Sequence, residues 1–194
     1  MTKSYNYLPE NYVEDFQIDL LKDKKKLLMI NVLSLVLLIP VVLAYYLIIT
    51  FTDKTLEITV ENSPTWKLMI SIVSMLVYIV VHELIHAIFF KLGTKEKVKF
   101  GFHGIMASAS VPGVYFYKKP YLLAGLAPAA IMSVVFIIPM FFLNDYDLFL
   151  LFLLFAVHFS GCVGDFYIAI KLLKYPSDTL VEDTGTGMKF FVKK

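Results

Sequence analysis

Arginine is missing altogether: all 18 basic residues of this 194-residue chain are lysine. The guanidinium fork is the group that grips phosphate through paired hydrogen bonds. Its absence, with a net charge of only +2, argues against a nucleic-acid partner. Cysteine is nearly missing too. With Cys162 alone, an internal disulfide is excluded and the redox compartment is left open. Charge of either sign is scarce, at 18% of residues against about a quarter in soluble domains. In its place, 58% of the chain is hydrophobic, where soluble domains hold roughly 45–50%. This excludes an ordinary water-soluble domain. It fits a small polytopic membrane protein with little mass left for a separate soluble unit.

Four apolar runs are long enough for the roughly 20 helical residues that cross a hydrocarbon core. They cover about 27–51, 66–92, 121–143 and 148–173. The chain therefore divides into an N-terminal segment (1–26), a four-helix transmembrane core (27–174) and a tail (175–194). A polar 26-residue segment precedes the first run, which is too long for a signal-peptide core, so that span is expected to be retained. Lysine placement orients the spans. The first segment carries Lys22, Lys24, Lys25 and Lys26, the 93–120 connection carries Lys95, Lys97, Lys118 and Lys119, and the tail carries Lys189, Lys193 and Lys194. Asp53, Glu57 and Glu61 mark one of the two remaining connections, Asp145 and Asp147 the other. Both termini and the 93–120 segment are expected to be cytoplasmic, in a multi-pass protein of the cell membrane.

Residues 97–117, KVKFGFHGIMASASVPGVYFY, break the helical pattern. Small and apolar residues alternate, aromatics frame the segment, and Pro112 belongs at a bend or an edge. The expected architecture is an all-α membrane protein: four transmembrane helices, with a small membrane-associated β-hairpin or sheet between the second and third. The flanks 7–26 and 175–194 either cover the cytoplasmic mouth of the bundle or run as solvated segments; the second is the expected arrangement.

Among the titratable groups left inside the spans are His82, Glu83, His86, His158 and Asp165. Such groups are costly in hydrocarbon and by default mark function or internal pairing. His82–Glu83–Leu84–Ile85–His86 is an HExxH pattern. Its histidines lie at i and i+4 on one helical face, where both imidazoles reach one metal ion, and Glu83 projects beside the ion as a general base. A mere packing network would be built more cheaply from Ser, Thr or Asn.

A catalytic zinc needs a third protein ligand and one open position. From Trp66 to His82 is about 24 Å of helix, and from Leu148 to Asp165 about 26 Å, on spans of the same direction. Asp165 is thus level with the histidines, and Gly161, Cys162 and Gly164 would let its helix approach closely or unwind locally. The expected metal ligands are His82, His86 and Asp165. His158 lies about 10 Å further along its helix, too far to share the ion unless the helix breaks. It is a possible ligand, a support for the ligands, a substrate-polarising group or a packing histidine. His103 and Cys162 are expected to be structural.

These motifs, with HELIHAIFFKLG (82–93), PGVYFYKKPYLLAGLAP (112–128), HFSGCVGD (158–165) and YPSDTLVEDTGTG (175–187), resemble a bacterial family of zincin membrane peptidases related to the site-2-protease type of intramembrane metalloprotease. The resemblance implies Zn2+ held by His82, His86 and Asp165, with Glu83 as the catalytic base. It departs in one place: site-2 proteases follow the aspartate with glycine, whereas here Gly164 precedes it and Phe166 follows. The implied function is membrane-embedded hydrolysis of peptide bonds in membrane-protein or peptide substrates at the cytoplasmic side. The alternatives are a non-proteolytic metal-binding or transport protein, or a scaffold for membrane partners.

Overall fold

A computed structural model describes residues 4–51, 65–103, 106–143 and 145–194. Two strands come first, β1 (Ser4–Tyr5) and β2 (Tyr12–Asp19), followed by helices α1 (Lys24–Phe51) and α2 (Thr65–Gly93). Strands β3 (Lys99–His103), β4 (Met106–Ser110) and β5 (Tyr115–Tyr117) lead into α3 (Lys118–Met140), α4 (Asp145–Gly161) and α5 (Val163–Leu173). The chain finishes with β6 (Leu180–Asp183) and β7 (Gly187–Lys193). Asp53, Glu57 and Glu61 lie outside the described residues, as does the side chain of His103.

The helices meet the length and polarity of four membrane spans, with α4 and α5 together making the fourth. Asp23 starts α1 by accepting the Lys26 N–H at 3.1 Å, which satisfies one of the orphan donors of its first turn. Beyond that cap α1 is apolar apart from a few polar residues such as Asn31 and Ser34. It leaves Leu28, Leu35, Val36 and Ile39 exposed, as a lipid-facing helix does. The interior is built where α3 meets its neighbours: Tyr78 and Ile85 of α2, Met132 and Phe136 of α3 and Phe152 of α4 form one cluster, with Val41 and Tyr45 of α1. The fourth span is interrupted at Cys162, where Gly161 and Gly164 flank the junction of α4 and α5.

β3 and β4 form an antiparallel hairpin, and Pro112 sits at the bend that follows. There Val114 N–H bonds to Val111 O at 3.2 Å and Gly113 takes φ +81°, the left-handed geometry that a Pro-Gly turn asks of its third residue.

The all-α expectation is corrected by a second sheet. It has five strands in the order β1-β5-β6-β7-β2, with every pairing antiparallel. Both flanks belong to it, so they are not solvated segments: Tyr12 pairs with Lys193 and Asp19 with Gly187. The physical reason is burial. Ile18, Val181 and Phe190 are buried on the ends of the helices against Phe90 of α2, Tyr121 of α3 and Leu172 of α5. Gly187 is required where β7 crosses β2, since a side chain there would drive into the Ile18 carbonyl and the Asp19 backbone. The sheet thus closes one end of the bundle, and the ionisable residues of α2 lie between the sheet cluster and the helix cluster.

Candidate metal centre

Tyr78, His82 and His86 stand at successive i,i+4 positions of α2 and so share one face. His82 and His86 are buried, and their Nε2 atoms are 3.2 Å apart. Asp165, in the first turn of α5, brings one carboxylate oxygen to 3.5 Å from His82 Nε2 and the other to 3.6 Å from His86 Nε2. The carboxylate is carried in the first turn after the junction at Cys162, across which the backbone stays helical, with Phe166 N–H bonded to Cys162 O at 2.9 Å. Zinc bonded at about 2.0–2.2 Å to N and O donors in tetrahedral array separates them by roughly 3.3–3.6 Å, so the residue types and spacings of this donor set suit zinc, with the two imidazole nitrogens slightly closer than a bound ion would hold them. Asp165 retains 25% side-chain exposure beside the two buried imidazoles, leaving one side of the set open as a catalytic centre requires.

Each histidine is held from behind. His86 Nδ1 donates to the Ala124 carbonyl of α3 at 2.8 Å, which leaves Nε2 as its metal-facing lone pair. His82 Nδ1 is 3.2 Å from the Tyr78 hydroxyl, and that hydroxyl is 3.1 Å from His158 Nδ1. His158 Nε2 in turn meets Ser133 Oγ at 3.2 Å. His158, completely buried, is therefore not brought to the His82–His86–Asp165 set. Its Nδ1 instead faces the Tyr78 hydroxyl, with Cys162 Sγ 3.7 Å away. His82, His158 and Cys162 do lie close enough to form a second donor group. That group is fully buried, and the Nδ1 atoms of both its histidines are within hydrogen-bond reach of Tyr78, whereas the His82–His86–Asp165 set keeps a partly exposed side.

Glu83 is half-buried beside the histidines and shares a cavity lining with Ala107, Ser108 and Ala109 of β4. The site opens into a cavity of about 440 Å³ whose walls include Asn31 and Ser34 of α1, Ala107 and Ala109 of β4, and Asp183 and Met188 of the tail sheet.

A family model described as "Putative zincin peptidase" matches residues 75–180, just over half of the chain. The chain belongs to that family. Neither the curated proteins nor the solved structures contain a match. That description implies zinc, which agrees with the donor chemistry found here, and the matched span takes in α2 from Met75 onward, the hairpin, α3, α4 and α5. It ends before the β6–β7 turn, so the tail's part in this zincin-family cavity is a feature of the fold alone.

That part is Asp183, which sequence reading passed over. The β6–β7 turn folds back so that Asp183 Oδ1 accepts the Gly185 N–H at 2.8 Å and Oδ2 accepts the Tyr121 hydroxyl at 2.8 Å. Burial pushes the Asp183 carboxyl up to about 6; the two hydrogen bonds oppose the rise and the charge of Asp165 adds to it. The folded state thus holds this proton more tightly than the unfolded chain does. The resulting stabilisation is complete below the ordinary value of 3.8 and is lost as pH rises through about 6. Asp183→Asn removes the effect. Metal-free wild type is expected to lose up to about 3 kcal/mol relative to the variant on going from pH 4 to pH 7, read from unfolding curves in detergent. Parallel curves would contradict the assignment.

Proposed function

We propose that this protein is a membrane-embedded zinc peptidase of the site-2-protease type, cleaving peptide bonds of membrane or membrane-proximal substrates at the cytoplasmic side. The observation that carries the proposal is the convergence of His82 Nε2, His86 Nε2 and the Asp165 carboxylate within 3.6 Å, with Glu83 beside them and a cavity in front. When bound there, zinc polarises the scissile carbonyl and lowers the pKa of its water towards about 7. Glu83 takes the proton of the attacking water on its carboxylate and passes it to the departing amine. The lysine distribution supports the cytoplasmic orientation of both termini, and the five-stranded sheet that they build would lie on that side.

A substrate helix hides its peptide bonds behind intrahelical hydrogen bonds and must unwind before attack. β4 supports a way of holding the unwound strand. β4 pairs with β3 in a two-stranded sheet, so among the described strands its other edge has no strand partner, and Ala107, Ser108 and Ala109 line the cavity together with Glu83. A strand laid along this edge would gain main-chain hydrogen bonds beside the metal ligands. The small side chains of residues 107–110 leave room for it.

Metal removal tests the reading. Purified protein loaded with zinc is expected to cleave at least one member of a panel of single-span substrates. A chelator should stop cleavage and added zinc should restore it. Equal traces for the loaded and stripped protein across the panel would sink the proposal.

A further inference from the structure

The zinc reading leaves a chain of polar side chains with no part in the reaction: buried Tyr78 and His158 and half-buried Ser133, leading away from His82 into the bundle. We infer that Tyr78 and His158 are positioning residues of the metal centre, fixing the tautomer and the ring plane of His82 through an uncharged hydrogen-bond relay. The inference rests on the proposed metal centre and concerns only how its histidine is held.

The direction of each proton in the relay follows from the metal. A ligand that binds through Nε2 must carry its own hydrogen on Nδ1, so His82 donates to the Tyr78 oxygen at 3.2 Å. Tyr78 then has its hydroxyl hydrogen to give, and the acceptor is His158 Nδ1 at 3.1 Å. With Nδ1 accepting, a neutral His158 carries its hydrogen on Nε2, which donates to Ser133 Oγ at 3.2 Å. Every link has one donor and one acceptor, and the chain crosses from α2 through α4 to α3. All three helices of the inner bundle therefore hold one imidazole. The rings support the same geometry: Tyr78 stands edge-on to both His82 and His158, and Phe136 packs against both Tyr78 and His158.

An uncharged relay suits this location. The partner behind a metal-bound histidine is often a carboxylate, which raises ligand basicity. In a membrane span another carboxylate would be a further buried charge to compensate, beyond those that Asp165 and Glu83 already bring. A tyrosine backed by a neutral histidine orients the ring without that cost. The two ligands are held unequally as a result: His86 uses a single backbone carbonyl that no side-chain change removes, whereas His82 depends on two replaceable side chains.

The test is zinc affinity of the full-length protein in detergent, measured by chelator competition, with the visible spectrum of the Co2+-loaded protein as a second readout. Tyr78→Phe keeps the ring but leaves the His82 Nδ1 hydrogen buried without an acceptor. It is expected to weaken zinc binding about 10–100-fold and to shift the Co2+ bands. His158→Leu removes the next acceptor and should weaken binding in the same direction. His158→Asn places a carbonyl oxygen near the former Nδ1 and is expected to recover most of the affinity, which a purely structural loss would not do. Wild-type affinity and spectrum in Tyr78→Phe would overturn the relay and leave the metal centre standing. Failure of His158→Asn to improve on His158→Leu would also overturn it, assigning His158 to packing. Wild type that binds neither zinc nor Co2+ would overturn the metal centre and the relay together.

Discussion

Glu83→Gln is expected to abolish substrate cleavage while leaving zinc bound at the wild-type level. The substitution keeps the length and shape of the side chain, so the local packing of α2 against β4 survives. What it removes is the capacity to take a proton. Proton transfer by a positioned side chain contributes typically 10²–10⁴-fold, so turnover should fall by at least about a hundredfold, a barrier increase of roughly 3 kcal/mol or more. Single-turnover cleavage of a single-span substrate, with metal content measured on the same sample, checks both halves. A metal-transport or storage protein built on the same ligands would behave differently, since Glu83 approaches no ligand nitrogen as Asp165 does and its loss would leave metal handling intact. Cleavage by the variant within a few-fold of wild type would remove the general base, and with it the peptidase reading.

The contrast between α2 and the tail sheet shows why part of this molecule is legible and part is not. His82 and His86 could be placed together because the helical period is short and local: four residues are one turn. Asp165 could be placed with them because rise per residue converts sequence position into depth, and a bilayer sets a common origin for two spans. The hairpin was legible for a similar reason, its alternation being confined to 99–110. The five-stranded sheet offered no such local measure. Its longest pairing joins Tyr12 to Lys193, its strands are as short as Ser4–Tyr5, and β2 carries a register irregularity between Glu14 and Phe16. Nothing in either flank alone fixes that pairing; burial of Ile18 and Phe190 on the helix ends does.

Tyr78 was missed for a different reason. In an apolar span a tyrosine counts as a large hydrophobe, and its hydroxyl becomes informative only when something polar stands opposite. The signal was present nonetheless, because residues 78, 82 and 86 form one i,i+4 stripe and His158 was already a polar group in want of a partner. An aromatic hydroxyl one turn before a metal-ligand pattern is a candidate support for the first ligand. Asp183 carried no comparable signal. It became part of the cavity only through the β6–β7 turn, where Gly185 at φ +86° bends the chain back towards Tyr121.

Asp165→Asn separates binding from chemistry in the opposite sense to Glu83→Gln. Asn is nearly isosteric and could still face both imidazoles, yet its amide offers a neutral oxygen where the carboxylate offers an anion. The two histidines bind as neutral rings, so Asp165 is the only charge that the three proposed ligands set against a doubly charged ion. In water that loss would be partly screened; between apolar helices it is not, and a buried uncompensated charge costs several kcal/mol. Zinc affinity is therefore expected to fall by more than the roughly 10–100-fold that losing a supporting partner costs, with cleavage falling in proportion to the zinc lost. Chelator competition and metal analysis on purified protein measure the first, and cleavage at graded zinc concentrations the second. Near-normal zinc content in the variant would remove Asp165 from the ligand set and leave two histidines, too few for a catalytic zinc held by three protein ligands. The His82–His158–Cys162 group would then be the next donor set to examine, although Tyr78 stands within hydrogen-bond reach of both its histidines. Loss of zinc in Asp165→Asn together with retained zinc in Glu83→Gln is the pattern that assigns one carboxylate to the ion and the other to the proton.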